Sequence, residues 1–265
     1  MAGRAFDRMC GAAYAVEHAL EDAVDAVKHF PLPKKHFRPA GVKAGHFPPM
    51  PWWHHAFHDP YERVNVFSHG IPALGFWILA ISSFMGWFPG GTPMALFGLA
   101  AATTHTGSTI AHLWPDDEWC EKGDHMGITA LIIGVPISAS MSQDPEADVS
   151  AMLWLSIVLM CAAFTSHRTL RTLGYILGGA GLFLIMLARG AATSNLCAQC
   201  VLYLTGGVFY IRSKNWNSRD QHGPQGLSDH HLMHYFVTTA SVLQVYGILH
   251  AHGHIEAPWP HVHFS

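Results

Sequence analysis

Long uncharged stretches separated by short clumps of charge organise this chain. No Asp, Glu, Lys or Arg occurs from Val64 to Pro115, enough for two membrane-crossing helices of about 20 residues each. In the middle of that stretch, Phe88-Pro89-Gly90-Gly91-Thr92-Pro93 supplies the turn that folds one helix back on the other. Further uncharged runs cover residues 125–143, 149–167, 172–188, 190–211 and 230–255. Together they predict an all-α membrane protein, a bundle of seven transmembrane helices. The runs at 125–143 and 172–188 lie near the lower length limit for crossing about 30 Å of hydrocarbon.

Charge orients the bundle. Of 15 Lys and Arg, eight precede the first run and six sit at Lys122, Arg168, Arg171, Arg212, Lys214 and Arg219. Only Arg189 falls on the opposite side, so the excess of positive charge predicts a cytoplasmic N-terminus and an outer C-terminus. Composition agrees with a multi-pass membrane protein, since 12% of the 265 residues are charged and 50% are hydrophobic. The net charge of −3 and the lack of a basic cluster beyond Lys34-Lys35 argue against nucleic acid as a partner. The five cysteines are an odd number without a disulfide framework, and Cys197-x-x-Cys200 reads as small residues between helices. The first thirty residues are too acidic for a cleavable signal peptide.

Residues 1–60 read as a cytoplasmic leader, 61–252 as the membrane bundle and 253–265 as an outer His-rich tail. Within the leader, Val16, Leu20, Val24, Val27 and Phe30 recur at helical spacing opposite acidic residues, an amphipathic helix that Pro31-Leu32-Pro33 ends. Trp52 and Trp53 suit the membrane interface. The tail histidines, His250, His252, His254, His261 and His263, are expected to be solvated and not to hold a metal in fixed geometry.

The candidate chemistry is a set of histidines at the ends of apolar runs. His112 closes one run, preceded by Ser108, while His230 and His234 open another and share a helix face. In the inferred topology all three reach the same, inner membrane depth; opposite ends would be about 30 Å apart. Three neutral imidazoles suit zinc and leave its fourth tetrahedral position open. Glu62, Asn65 and His69 enter the same layer at the start of the first run. Polar groups at membrane depth face the bundle interior and are functional candidates, the alternative being a hydrogen-bonded network that glues helices together. That alternative weighs most for Asn65 and His69, and His105, two turns deeper than His112, is expected to be a packed or cavity histidine and not a ligand.

Glu62-x-x-Asn65-x-x-x-His69, Ser108-x-x-x-His112, Asp124 in Gly123-Asp124-His125-Met126-Gly127-Ile128, and His230-x-x-x-His234 resemble the progestin and adipoQ receptor family, which includes the bacterial hemolysin III proteins. The resemblance covers residues 45–250, and Gly45-His46-Phe47-Pro48-Pro49-Met50-Pro51 looks like the adiponectin-receptor branch. The family is also similar to alkaline ceramidases. The resemblance implies zinc held by His112, His230 and His234, with Ser108 and Asp124 close to it and a lipid-accessible cavity behind. Two features depart from the family pattern: the acidic stretch Asp116, Asp117, Glu118 and Glu121, and His231 where an apolar residue is expected.

What this implies first is a ceramidase-like hydrolase of lipid amides, with Asp124 moving the proton and Ser108 assisting the developing oxyanion. Asp229 is a weaker candidate for orienting His230. The alternatives are a ligand-responsive membrane receptor with a structural zinc and, last, a hemolysin-like pore, for which no polar stripe runs through all the spans. The expected partners are a lipid substrate or ligand within the bundle, membrane lipids and a protein on either side.

Overall fold

In the computed structural model, residues 51–115, 117–163, 168–190, 193–215 and 228–255 are described. The expected leader helix, the Gly45–Pro51 stretch apart from Pro51 itself, Asp116, Arg219 and tail residues His261 and His263 lie outside them. The described residues are helical, with no strand among them: α1 (Trp52–Phe57), α2 (Pro60–Phe84), α3 (Gly91–Leu113), α4 (Glu118–Gln143), α5 (Ser150–Ala163), α6 (Arg168–Ala188), α7 (Ser194–Asn215) and α8 (Asp229–Ala251).

Local chemistry sets the ends of these helices. Asp59 caps α2, its carboxylate accepting from the backbone N–H of Tyr61 at 2.9 Å and Glu62 at 3.2 Å, with Pro60 in the first turn where no N–H is needed. The expected turn forms between α2 and α3, with Gly90 in the left-handed region at φ 99°. Asp117 caps α4 through the N–H groups of Trp119 and Cys120. These donors, that of Cys120 foremost, hold its carboxyl below the usual carboxylate range.

Among the described residues, four helices are long and apolar enough to cross a membrane: Pro60–Phe84, Glu118–Gln143, the Ser194–Ile211 part of α7, and Asp229–Ala251. The run at 125–143, short by charge pattern alone, is extended at its start by the Asp117 cap and reaches 26 residues. α3 is 23 residues long but carries Thr103, Thr104, His105, Thr106, Ser108 and Thr109, which lower its hydropathy. Ser150–Cys161 and Leu173–Ala188 are shorter apolar helices.

Polarity is inverted relative to a bundle that folds in water. Ile71, Leu74, Ile78, Phe84, Trp154 and Leu177 are exposed, whereas Asn65, His105, His234, Ser138 and Ser241 are fully buried. An outer surface of this kind is solvated by lipid, and the inward polar groups must find partners within the protein. α2 packs along α3, α3 along α4, and α7 along α8. α8 also returns to touch α2, α3 and α4, which lie far before it in sequence. An apolar core including Phe76, Phe97, Leu131, Met152, Met186 and Ile248 fills the bundle, and the polar cluster described next lies at one end of it.

Candidate metal centre

α8 starts with a capping box in which histidine takes the place of the usual acidic partner. Ser228 Oγ accepts from the N–H of His231 at 3.2 Å, and His231 Nδ1 accepts from the N–H of Ser228 at 3.1 Å. Because Nδ1 accepts, Nε2 carries the proton and donates to the Tyr61 carbonyl at 3.3 Å, with the two rings 4.7 Å apart. The departure noted at His231 is therefore a structural fastening. It fixes the start of α8 against the start of α2.

With α8 held there, His230 and His234 stand one turn apart with ring centroids at 4.5 Å. His112, in the last turn of α3, faces both at 5.2 and 5.3 Å. One ligating atom from each of the three lies within 4.8 Å of the others. The His112 and His230 Nε2 atoms are 3.3 Å apart, and nitrogens bound tetrahedrally at zinc distances are also about 3.3 Å apart.

The remaining ring nitrogens show what the set is prepared to do. His112 Nδ1 lies 2.8 Å from Glu62 Oε2, which also accepts from Asn65 Nδ2 at 3.0 Å. The carboxylate fixes the proton on Nδ1 and leaves the Nε2 lone pair for a cation. Ser68 Oγ donates to the Asn65 carbonyl at 3.1 Å and so accepts from His234 Nδ1–H at 2.9 Å. His234 Nε2 is then a lone pair, fully buried and without a hydrogen-bond partner. A buried acceptor left in this state is costly unless something binds it. The donor set therefore fits a metal ion.

The other sequence candidates fall around this trio in different ways. His69 lies against it, its ring 3.9 Å from that of His234, and its Nδ1 is 2.6 Å from His105 Nδ1. His105 stacks on Phe76 at 5.3 Å, its Nε2 is buried without a hydrogen-bond partner, and it belongs to no group of possible ligands among the described residues. Ser108 is buried one turn before His112. Asp124 stands on the first turns of α4 where α3 and α4 nearly touch: a Cβ on Gly107 would lie 2.8 Å from the Gly123 oxygen and 3.3 Å from Asp124 Cα. Only glycine allows that approach. Asp124 is not among the groups whose ligand atoms meet within 4.8 Å.

Ser68, which holds the His234 ring, was passed over in the sequence reading. It lies one turn after Asn65, beside His69, a position that spacing alone offered. Glu62 appeared only as a supporting residue, and its direct hold on His112 emerges from the packing of α2 on α3.

The tail residues His252 and His254 stack at 6.4 Å and form no metal-ligand group among the described residues. The cavity lined by Gln199 and Gln244 sits at the other end of α8, away from the histidine trio.

No curated protein matches the chain. A family model described as haemolysin-III related matches residues 57–245, a span that holds the helix start bearing Glu62, Ser108 and Asp124, and the whole histidine trio. That match covers well over half of the chain, and the chain belongs to the haemolysin-III-related family as an integral multi-pass membrane protein.

Proposed function

We propose that His112, His230 and His234 hold zinc, and that the protein hydrolyses a lipid amide of the ceramide type. The observation that carries this is His234 Nε2, buried and unpartnered, while Ser68 engages the other nitrogen of the same ring. Three imidazoles of this kind are the donor set that zinc would take. The same reading takes the bundle as seven spans with a cytoplasmic N-terminus, which puts the trio near the inner headgroups.

Bound zinc supplies Lewis acidity, polarising the amide carbonyl and acidifying water. The chain's own groups do the rest. Asp124 accepts the proton of the attacking water and delivers it to the departing amine as the C–N bond breaks. Ser108 donates to the oxygen on which charge develops. The close crossing at Gly107 and Gly123, which brings the backbone of Asp124 beside the turn bearing Ser108, supports both assignments. Glu62 and Ser68 keep the His112 and His234 rings in the tautomers that binding needs.

A second reading is a ligand-responsive receptor in which zinc only clamps the bundle. It is favoured by the origin of the parts, since the ligands come from α3 and α8 and their hydrogen-bond anchors from α2. One experiment separates the two. Zinc content and fatty-acid release from ceramide are measured for the wild type, Asp124→Asn and His234→Ala. Zinc kept but release lost in Asp124→Asn supports hydrolysis; zinc kept in the wild type with equal background release from all three leaves the clamp. A wild type purified without zinc and unable to take it up overturns both.

A further inference from the structure

The strongest feature outside the metal centre lies at the far end of α8. There α4, α7 and α8 enclose a cavity of about 90 Å³, large enough for a head of a few heavy atoms. Among the described residues no Asp, Glu, Lys or Arg lines it, and His250 is the basic side chain in its wall. Its wall includes two buried amides that cross between helices: Gln199 Nε2 on α7 donates to Gln244 Oε1 on α8 at 2.8 Å and to Asn195 Oδ1 at 3.2 Å. Gln244 Nε2 in turn donates to Ser138 Oγ at 2.9 Å and to the Val135 carbonyl at 3.2 Å on α4.

These bonds fix which way round the Gln199 amide sits. Both of its partners are oxygens whose own NH2 groups already donate elsewhere, Asn195 Nδ2 to the Leu243 carbonyl at 2.9 Å among them. The Gln199 NH2 must therefore face them, and its carbonyl Oε1 is the atom left over. Gln199 is 1% exposed, and Oε1 has no hydrogen-bond partner. A buried amide carbonyl in this state costs stability until a donor reaches it.

We propose that this cavity is a second binding site, for a neutral head that donates hydrogen bonds, of the hydroxyl-bearing kind, with Gln199 Oε1 as its main acceptor. With no carboxylate, ammonium or guanidinium among the described wall residues, the site favours a neutral head over an ionic one, whose lost hydration would go largely uncompensated. The cavity is small, and it lies at the helix ends, beside Gln143, Ser194 and Ala251. That places it where a lipid headgroup with vicinal hydroxyls, or a free small polyol, can enter. The site is independent of the histidine trio and of any hydrolysis there.

The test uses the full chain in nanodiscs and follows its Tm during titration with monoolein, free glycerol and methyl oleate, which has the acyl chain but no donor. Gln199→Met removes the acceptor at similar size, together with the NH2 that bridges Gln244 and Asn195, whereas Ala251→Phe leaves that network in place and plugs the cavity from an exposed position at its edge. Monoolein should raise Tm and methyl oleate should not. The half-saturating monoolein concentration should rise about tenfold in Gln199→Met, the equivalent of one hydrogen bond, and the response should vanish in Ala251→Phe. A glycerol response with the same dependence on both variants identifies a free polyol as the occupant and also supports the site. Equal shifts from monoolein and methyl oleate, equal responses in wild type and both variants, or no response to either polyol head would overturn it.

Discussion

The two ends of α8 bury polar groups in opposite ways. Near its start, His234 has one nitrogen tied to Ser68 and the other left as a bare lone pair, in a group whose ring nitrogens converge. About 15 Å further along the axis, Gln244 spends its donors and its acceptor on α4 and α7. An imidazole offers two nitrogens in fixed opposed directions, so anchoring one aims the other. An amide carries donor and acceptor on the same fork and closes a network by itself. The first arrangement is prepared for a cation; the second joins helices and leaves only the carbonyl of Gln199 over.

The contrast can be broken most forcefully at His234. His234→Ala should take the metal content from about one ion per chain to near zero, and a chelator that lowers the wild-type Tm should leave the variant's unchanged. Metal retained at the wild-type level would mean that the trio is not the site. Glu62→Gln keeps an oxygen for His112 Nδ1 but removes the charge; metal affinity, read by competition with a chromophoric chelator, should fall by about 10–100-fold. If Glu62 only fills space, affinity will not move.

At the other end, Gln244→Leu should cost about 1–3 kcal/mol by stranding Gln199 and Ser138, with metal content unchanged. Any loss of metal there would show that the two ends are coupled. The smallest effect is expected at the Asp117 cap. Its carboxyl is held below the ordinary range by the N–H groups of Cys120 and Trp119. Its contribution is therefore present above the usual carboxylate pKa and is lost as pH falls through the lowered one. Amide-exchange protection at Trp119 and Cys120, taken as the rate in Asp117→Ala divided by the wild-type rate at the same pH, should fall toward one as the pH drops through the lowered pKa.

Much of this was legible from local pattern. Uncharged runs marked where helices lie, Phe88–Pro93 marked the turn before α3, and the His230-x-x-x-His234 spacing placed two rings on one face. Those readings needed only neighbours within a few turns. The extent of α4 was harder, because the Asp117 cap extends the helix through charged residues that a hydropathy pattern excludes. His231 looked like a departure in an apolar position; its cap bonds to Ser228 are local, but its other ring nitrogen meets the Tyr61 carbonyl, far away in sequence.

Contiguous sequence was enough for the long apolar helices, the membrane class and the identity of the candidate metal ligands, though not for the short helix Trp52–Phe57, because hydropathy and the 3.6-residue period are properties of neighbouring residues. Only the tertiary structure decided that Glu62 holds His112, that Ser68 holds His234, and that Gln199 ends a relay with a free carbonyl. Each of those facts joins side chains from different helices. Their directions follow from how α2, α3, α4, α7 and α8 pack, which no local periodicity encodes.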